Sequence, residues 1–408
     1  MARTSVVARV LAAVLSVGAC SDPENPGTPV AEDASSGDAP SSPRGDAGVL
    51  ADSSITDASA STPASLRDLG DAPDAGSRSI RPWGMSRDGR FIVGSSDDGR
   101  IARAFRWSES SGIQFLLTTE RTSGGSRANG VSDNGEMIAG QLIGLATETQ
   151  AFRWSAGTVT ALGWLPGGAG RGPSYGEAMT PDGKFIVGGS TSSSTSESGS
   201  EAFSWSDGSG MSPRGDLSGG FFFSGARALS ADGTVIGGWG NDATGGRAIR
   251  WVNGVPLALP NLGAAPNANV NAVSGDGKVL AGFSQSGAQS WETKPVRWVG
   301  DGAAQELGAL PNMPWGVALA ANADGSVIVG ICYGDANNRA GFVWTAGTGV
   351  RSLKDRLEAA GVATAGWTLS EPRAVSADGR VVVGFENGNG TLPHERAFRA
   401  PSTALRLP

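Results

Sequence analysis

Ser376-Ala377-Asp378-Gly379-Arg380-Val381-Val382-Val383-Gly384 is the clearest of seven copies of one short pattern. An Asp-Gly pair tolerates the positive φ angles of a two-residue type I′ turn, so the stretch reads as two strands joined by a tight hairpin. The Asp position recurs at Asp88, Asn134, Asp182, Asp232, Asp276 and Asp324, each followed by Gly, at spacings of 46, 48, 50, 44, 48 and 54 residues. A second glycine stands six residues after each: Gly94, Gly140, Gly188, Gly238, Gly282, Gly330 and Gly384. The residues leading into it are mostly apolar, as in Phe91-Ile92-Val93 and Val327-Ile328-Val329, which suits a strand buried on both faces.

A further signature follows each copy. Ala-Phe-Arg-Trp occurs at 104–107 and 151–154, Trp205, Trp251, Trp298 and Trp344 stand in related contexts, and the seventh copy ends Ala397-Phe398-Arg399-Ala400 without the Trp. A unit of about 48 residues holds four short antiparallel strands, named a to d in chain order. The third copy gives strand a over Glu177–Thr180, strand b over Lys184–Val187 and strand c over Ala202–Trp205. Seven such units predict an all-β chain, a single seven-bladed β-propeller of four-stranded blades over residues 64–408. These 345 residues exceed the size at which one core usually splits, but repeats remove that limit because each unit buries its faces against its neighbours.

The units resemble the HAF family of bacterial extracellular repeats. The likeness rests on the Ser-x-Asp-Gly-x-x-Ile-Val-Gly core, the Ala-Phe-Arg-Trp element, and Leu-Gly-x-Leu-Pro at 162–166 and 307–311. It extends to the chain's end, where Leu353 and Leu357 suggest a short helix before Gly366-Trp367-Thr368-Leu369. The resemblance implies an exported, propeller-like repeat protein and adds little chemistry.

Residues 1–20 read as an export signal, with Arg3 and Arg9 before an apolar run, Val10–Val17, too short to span a bilayer. Val17-Gly18-Ala19-Cys20 resembles a bacterial lipobox with Val in place of the usual Leu, and by that resemblance Cys20 becomes the lipidated first residue of the mature chain. Cys332 is the remaining cysteine and reads as a buried, inert thiol. Residues 21–63, rich in Ser, Ala, Asp and Pro, read as a disordered acidic tether that holds the domain off a membrane. Eight acids against Arg44 give the tether a charge of −7, and residues 64–408 carry only −2. A near-neutral domain lacks the basic footprint of a nucleic-acid binder.

Catalytic signals are sparse. His394 is the only histidine, which argues against multi-histidine metal sites and hydrolase triads. The Asp-Gly pairs lack the alternating acids of a calcium loop and read as turns. Glu177 and Glu371 are the acids nearest the strand-a entries, the candidates for a glycan hydrolase or lyase that needs two carboxylates across a cleft. No cofactor and no metal is expected.

Variability is the better guide. The a–b and c–d connections are short while b–c and d–a vary, as at 189–200 and 163–176, so one face of the propeller carries the variable loops. Trp83, Trp164, Trp239, Trp291, Trp315 and Trp367, with Tyr175 and Tyr333, fall in or beside those loops, where aromatics suit recognition of sugars or peptides. Three residues before the Ser, Thr or Asn that opens each turn stands Trp83, Asn129, Glu177, Arg227, Asn271, Leu319 or Arg373. If strand a is innermost, these residues ring the channel where the strands enter, and Arg227 and Arg373 are placed to donate to acidic or hydroxylated groups, flanked by Trp164 and Trp315. The expectation is a monomeric, lipid-anchored, non-enzymatic binder of a glycan, a peptide or an envelope protein. A hydrolase or lyase, and a purely structural surface protein, are the alternatives.

Overall fold

The computed structural model describes residues 65–73, 79–117, 124–144, 149–170, 172–196, 199–335, 338–386 and 395–401. Cys20, the tether and His394 lie outside the described residues. Seven antiparallel four-stranded sheets stand in a ring, a β-propeller. Blade six runs Trp315–Ala321, Val327–Tyr333, Arg339–Thr345 and Gly349–Ser352. Strand a of each blade touches strand a of the next, through to Glu371–Val375 of blade seven against Ser79–Met85 of blade one. Strand a is therefore innermost.

The last blade is built from both ends of the domain. Glu371–Val375, Val381–Phe385 and Ala397–Pro401 are followed in the sheet by Arg67–Asp68, with Arg67 opposite Arg399 and Asp68 opposite Phe398. Beyond that pair, the Leu69 N–H donates to Ala397 O at 3.1 Å. Leu66–Gly70 thus serves as the missing strand d, which the repeat pattern anticipates.

The a–b turn differs from the expected two-residue type I′ turn. In blade one Ser86 N–H donates to Phe91 O and Gly89 N–H to Ser86 O, closing a longer loop in which only Gly89 takes a positive φ, 74°. The Ser hydroxyl explains the change. Ser86 Oγ donates to Asp88 Oδ1 at 2.7 Å and accepts from Phe91 N–H at 3.0 Å, and Asp88 Oδ1 also accepts from Arg90 N–H. Asp holds the loop as an acceptor rather than by adopting a left-handed backbone. Asn322 of blade six does the same, its Oδ1 accepting from Val327 N–H at 2.9 Å.

These turns link the blades. Asp133 N–H donates to Pro181 O, Ala231 to Gly275, Asp276 to Ala323, Ala323 to Ala377, and Ala377 to Arg87. At the seam between blades three and four the donor position is Pro181, which has no N–H.

There is no single core. Seven clusters of buried side chains each join neighbouring blades, as where Ile92, Phe105 and Trp107 of blade one meet Val383 and Ala397 of blade seven. The strand-c arginines add an outer belt: Arg106 lies over Trp154 at 5.4 Å, Arg153 over Trp205 at 5.5 Å and Arg297 over Trp344 at 4.4 Å, each on the next blade. Blade six has Val343 at the arginine position and blade seven Ala400 at the Trp position, so that seam has neither partner. The helix Leu353–Ala359 fills it, burying Leu353 and Leu357 against Val343, Phe398 and Ala400.

Candidate functional site

Every strand a carries a β-bulge. The register breaks between Pro82 and Gly84, Ala128 and Gly130, Gly176 and Ala178, Ala226 and Ala228, Val270 and Ala272, Ala318 and Ala320, and Pro372 and Ala374. The bulged residues are Trp83, Asn129, Glu177, Arg227, Asn271, Leu319 and Arg373, the variable positions of the sequence. A bulge leaves one residue without a cross-strand partner and re-aims its side chain; here that happens seven times around the channel, and all seven residues are half-buried.

The bulge also accounts for the invariant glycine. A Cβ on Gly94, Gly140, Gly188, Gly238, Gly282, Gly330 or Gly384 would land on the carbonyl oxygen of Arg81, Arg127, Tyr175, Gly225, Asn269, Val317 or Glu371, two residues before the bulge. In five blades a strand-c phenylalanine, such as Phe105 or Phe342, pairs with that glycine on the other side.

The ring sits inside the strands and not at their entries: Trp83 is the fifth residue of its strand and Asn129 the sixth. The level one step nearer the variable face belongs to the residues whose carbonyls meet the glycines. Arg81, Arg127, Tyr175 and Glu371 at that level form the mouth together with the ring. Likewise Trp83 and Trp239 lie within strands rather than in loops.

On blades seven, one and two the mouth is cationic and aromatic. The guanidinium carbons of Arg127 and Arg373 stand 4.6 and 4.8 Å from the centroid of Trp83, reaching it from either neighbouring blade. Trp83 Nε1 donates to Ser95 Oγ at 3.0 Å, and its ring meets Phe385 edge-on at 5.9 Å. Glu371 is 4% exposed and spends one oxygen on Arg339 and the other on Arg373, both at 2.6 Å. Burial opposes its ionisation, but Arg373 and then Arg339 outweigh burial and hold the carboxyl below the usual range.

Glu177 behaves in the opposite way. Burial pushes its carboxyl up, with Arg227 and then Arg127 pulling against that shift. Tyr175 beside it is pushed up to about 12 by burial, its hydroxyl paired with Ser200 Oγ at 2.9 Å. Asn129 and Asn271 staple neighbouring blades: Nδ2 of Asn129 donates to Gly176 O at 2.8 Å and Nδ2 of Asn271 to Ala318 O at 2.9 Å. The structure therefore brings Trp83 to Arg373 and Glu177 to Arg227. Trp164 and Trp315 are held by partners of their own, Trp164 Nε1 by Gly172 O at 2.7 Å and the Trp315 ring against Tyr333 at 6.4 Å.

The sequence pattern does not single out Arg127 or Arg339, although Arg127 lies two residues before a ring position and is legible there. Among the described residues no group of three or more His, Cys, Asp or Glu side chains could hold a metal ion. Cys332 is buried, and burial pushes its thiol up to about 11.

No family profile and no curated sequence matches the chain. Solved structures share its fold at low identity. An oligogalacturonate lyase in complex with manganese is 12% identical with a TM-score of 0.53, over 85% of this chain and 96% of its own. A prolyl endopeptidase structure is 14% identical at 0.53, over 80% of this chain and 48% of its own. TolB from Acinetobacter baumannii is 15% identical at 0.39, over 55% of this chain and 52% of its own. The chain thus spans about half the length of the last two. The likenesses to the lyase and the endopeptidase concern the fold alone.

Proposed function

We propose that this protein is a bacterial cell-envelope lipoprotein whose propeller binds, without catalysis, an acidic group of a glycan, peptide or envelope protein at the channel mouth. The observation that carries this reading is charge at one place. Arg81, Arg127, Arg227, Arg339 and Arg373 meet Glu177, Glu371 and Glu395 there, five cations against three anions and so an excess of two positive charges, in a domain whose net charge is −2. Guanidiniums fixed by aromatic stacking and by a buried carboxylate are pre-organised donors, so little side-chain entropy is lost when they bind an anion. In this reading the ring residues Trp83, Asn129, Glu177, Arg227, Asn271 and Arg373 face the ligand, and Trp164 and Trp315 flank it.

The alternative, a glycan hydrolase or lyase, draws support from the raised Glu177 carboxyl, which suits a general acid. Its weakness is the second carboxylate, since both oxygens of Glu371 are engaged by arginines.

The test is an array of acidic glycans and peptides, followed by Arg227→Ala and Trp315→Ala on any hit. Arg373 is bonded to the buried Glu371, and its removal would strip that carboxylate of one partner. A loss of about tenfold or more in affinity is expected for Arg227→Ala, and unchanged affinity in both variants would refute the site. Turnover of a bound glycan that Glu177→Gln abolishes would favour the enzyme instead. Membrane anchoring rests on the lipobox-like segment, and Cys20→Ser should release the protein from membranes; identical partitioning of the variant would remove the anchor from this reading.

A further inference from the structure

Blade four departs from its neighbours at the mouth. At the level where blades one to three carry Arg81, Arg127 and Tyr175, it has Gly225, and a Cβ there would press on the Trp239 indole. Glycine makes room for Trp239, paired with it from strand b, to lie across the inner strand two residues from Arg227. Phe223 packs on Trp239 at 4.5 Å between ring centroids, and Phe221 on Phe223 at 6.3 Å. Phe221 is 64% exposed. Three aromatic rings thus run from the channel mouth out to solvent.

The loop that carries Phe221 and Phe223 is fixed. Asp216 accepts the N–H groups of Leu217, Phe223 and Asn241 at 2.7, 2.8 and 3.0 Å, and Asn241 Nδ2 donates to Phe223 O at 3.1 Å. With its N–H and C=O both held, Phe223 stays packed against Trp239, the two rings tilted by 51°. Phe221 continues the apolar surface of Phe223 and Trp239 out to solvent, and a contiguous apolar strip of this kind, unlike a lone exposed side chain, marks a place where a ligand lies.

The neighbouring inner strand supplies an independent sign. Asn269 occupies in blade five the level that Gly225 holds in blade four; it is 1% exposed, and neither its side-chain oxygen nor its nitrogen meets a protein partner. Two residues further on, Asn271 spends Nδ2 on Ala318 O while its Oδ1 is buried without a partner. Buried amides left in this state cost stability and call for a ligand or solvent partner.

We propose that blades four and five hold a glycan subsite, in which a sugar ring lies on Trp239, its hydroxyls bond the amides of Asn269 and Asn271, and its chain runs outward over Phe223 and Phe221. The inference rests on the mouth being a binding site and specifies the ligand as a glycan rather than a peptide. A sugar offers an apolar face of C–H groups to an aromatic ring and hydroxyls, both donor and acceptor, at its edge. The Asn269 amide, likewise donor and acceptor, complements such an edge. A file of adjoining rings suits an extended chain of such units; a folded protein surface could not follow it into the channel.

The experiment uses the full chain and arrayed neutral and uronic-acid oligosaccharides of increasing length, with acidic peptides of matched length in parallel. Affinity should rise with oligosaccharide length, and Phe221→Ala should weaken the longest by about tenfold while leaving the disaccharide within about twofold. Asn269→Leu, which removes two unpartnered polar atoms, should raise the melting temperature and weaken oligosaccharides of every length. Peptide-only binding, or no binding to either, overturns the proposal. So does oligosaccharide binding that is indifferent to Phe221→Ala and Asn269→Leu; if Arg227→Ala still weakens that binding, the arginine reading stands, and if it does not, both fall. A lowered melting temperature with unchanged affinity in Asn269→Leu would mark that amide as structural and overturn its role.

Discussion

Glu177 and Glu371 lie near the channel mouth, and burial has opposite outcomes for them because of what stands beside each. Glu371 has a guanidinium bonded to each oxygen at 2.6 Å. Its folded-state carboxyl lies below the unfolded value, so it contributes stability above the ordinary glutamate range that is lost as pH falls through the depressed value. Glu177 has arginines near it but remains dominated by burial, and its carboxyl is raised. Stability from that site is therefore greatest below the ordinary glutamate range and declines as pH climbs through the raised value. Glu177→Gln should remove the decline, leaving the variant at least as stable as the parent at pH 8 and less dependent on pH between about 4 and 8. Thermal unfolding of both proteins across that interval checks this; a parallel slope in the variant, or a lower melting temperature at pH 8, would show that the Arg227 pairing outweighs burial.

At the scale of the element, the strand-a reading in blade three shows what the sequence discloses and what it hides. The pattern suggests Glu177–Thr180, whereas the strand is Ser174–Met179. A bulge sets two residues opposite one, so the period of two reverses at Glu177 and the residues before it no longer match the alternation. The bulge left a trace in the glycine six residues after the turn, since that glycine exists to clear the carbonyl two residues before the bulge. Its recurrence was plain, but its cause required the pairing. The turn departs from the Asp-Gly expectation for a related reason: the Ser hydroxyl that closes the loop stands three residues before the Gly, yet propensity weights the Asp-Gly pair alone. The missing final Trp and the short helix were each legible. That one compensates for the other follows from Val343 and Ala400 facing the same seam, which only the blade packing discloses. Of the site, the ring positions were readable because a shared register exposes their diversity. The Trp239 file was not, because it depends on which side chain the absent Cβ of Gly225 admits.

At the scale of the whole molecule, the arrangement is a circle that a linear chain must close, and the closing seam repeats the others with borrowed parts. Arg399 Nε donates to Gly89 O of blade one as Arg106 Nη1 donates to Gly135 O of blade two. Arg67, on the strand added from the N-terminal side, lies over Trp107 at 5.8 Å, where other seams use a strand-c arginine. Leu69 and Ala72 are buried against Ile80, Phe105 and Val383, so the added segment contributes core as well as strand pairing. Burying one leucine stabilises by about 1.5–3 kcal/mol and each net hydrogen bond by about 1 kcal/mol, so the segment is expected to contribute a few kcal/mol. Its removal would also bare the edge of Ala397–Pro401, a template for pairing with another chain. A chain beginning at residue 75 should therefore melt several degrees below one beginning at residue 60 and associate on heating. Closure by residues 403–407, which lie outside the described residues, predicts instead that both chains melt together, and scanning calorimetry of the two decides between them.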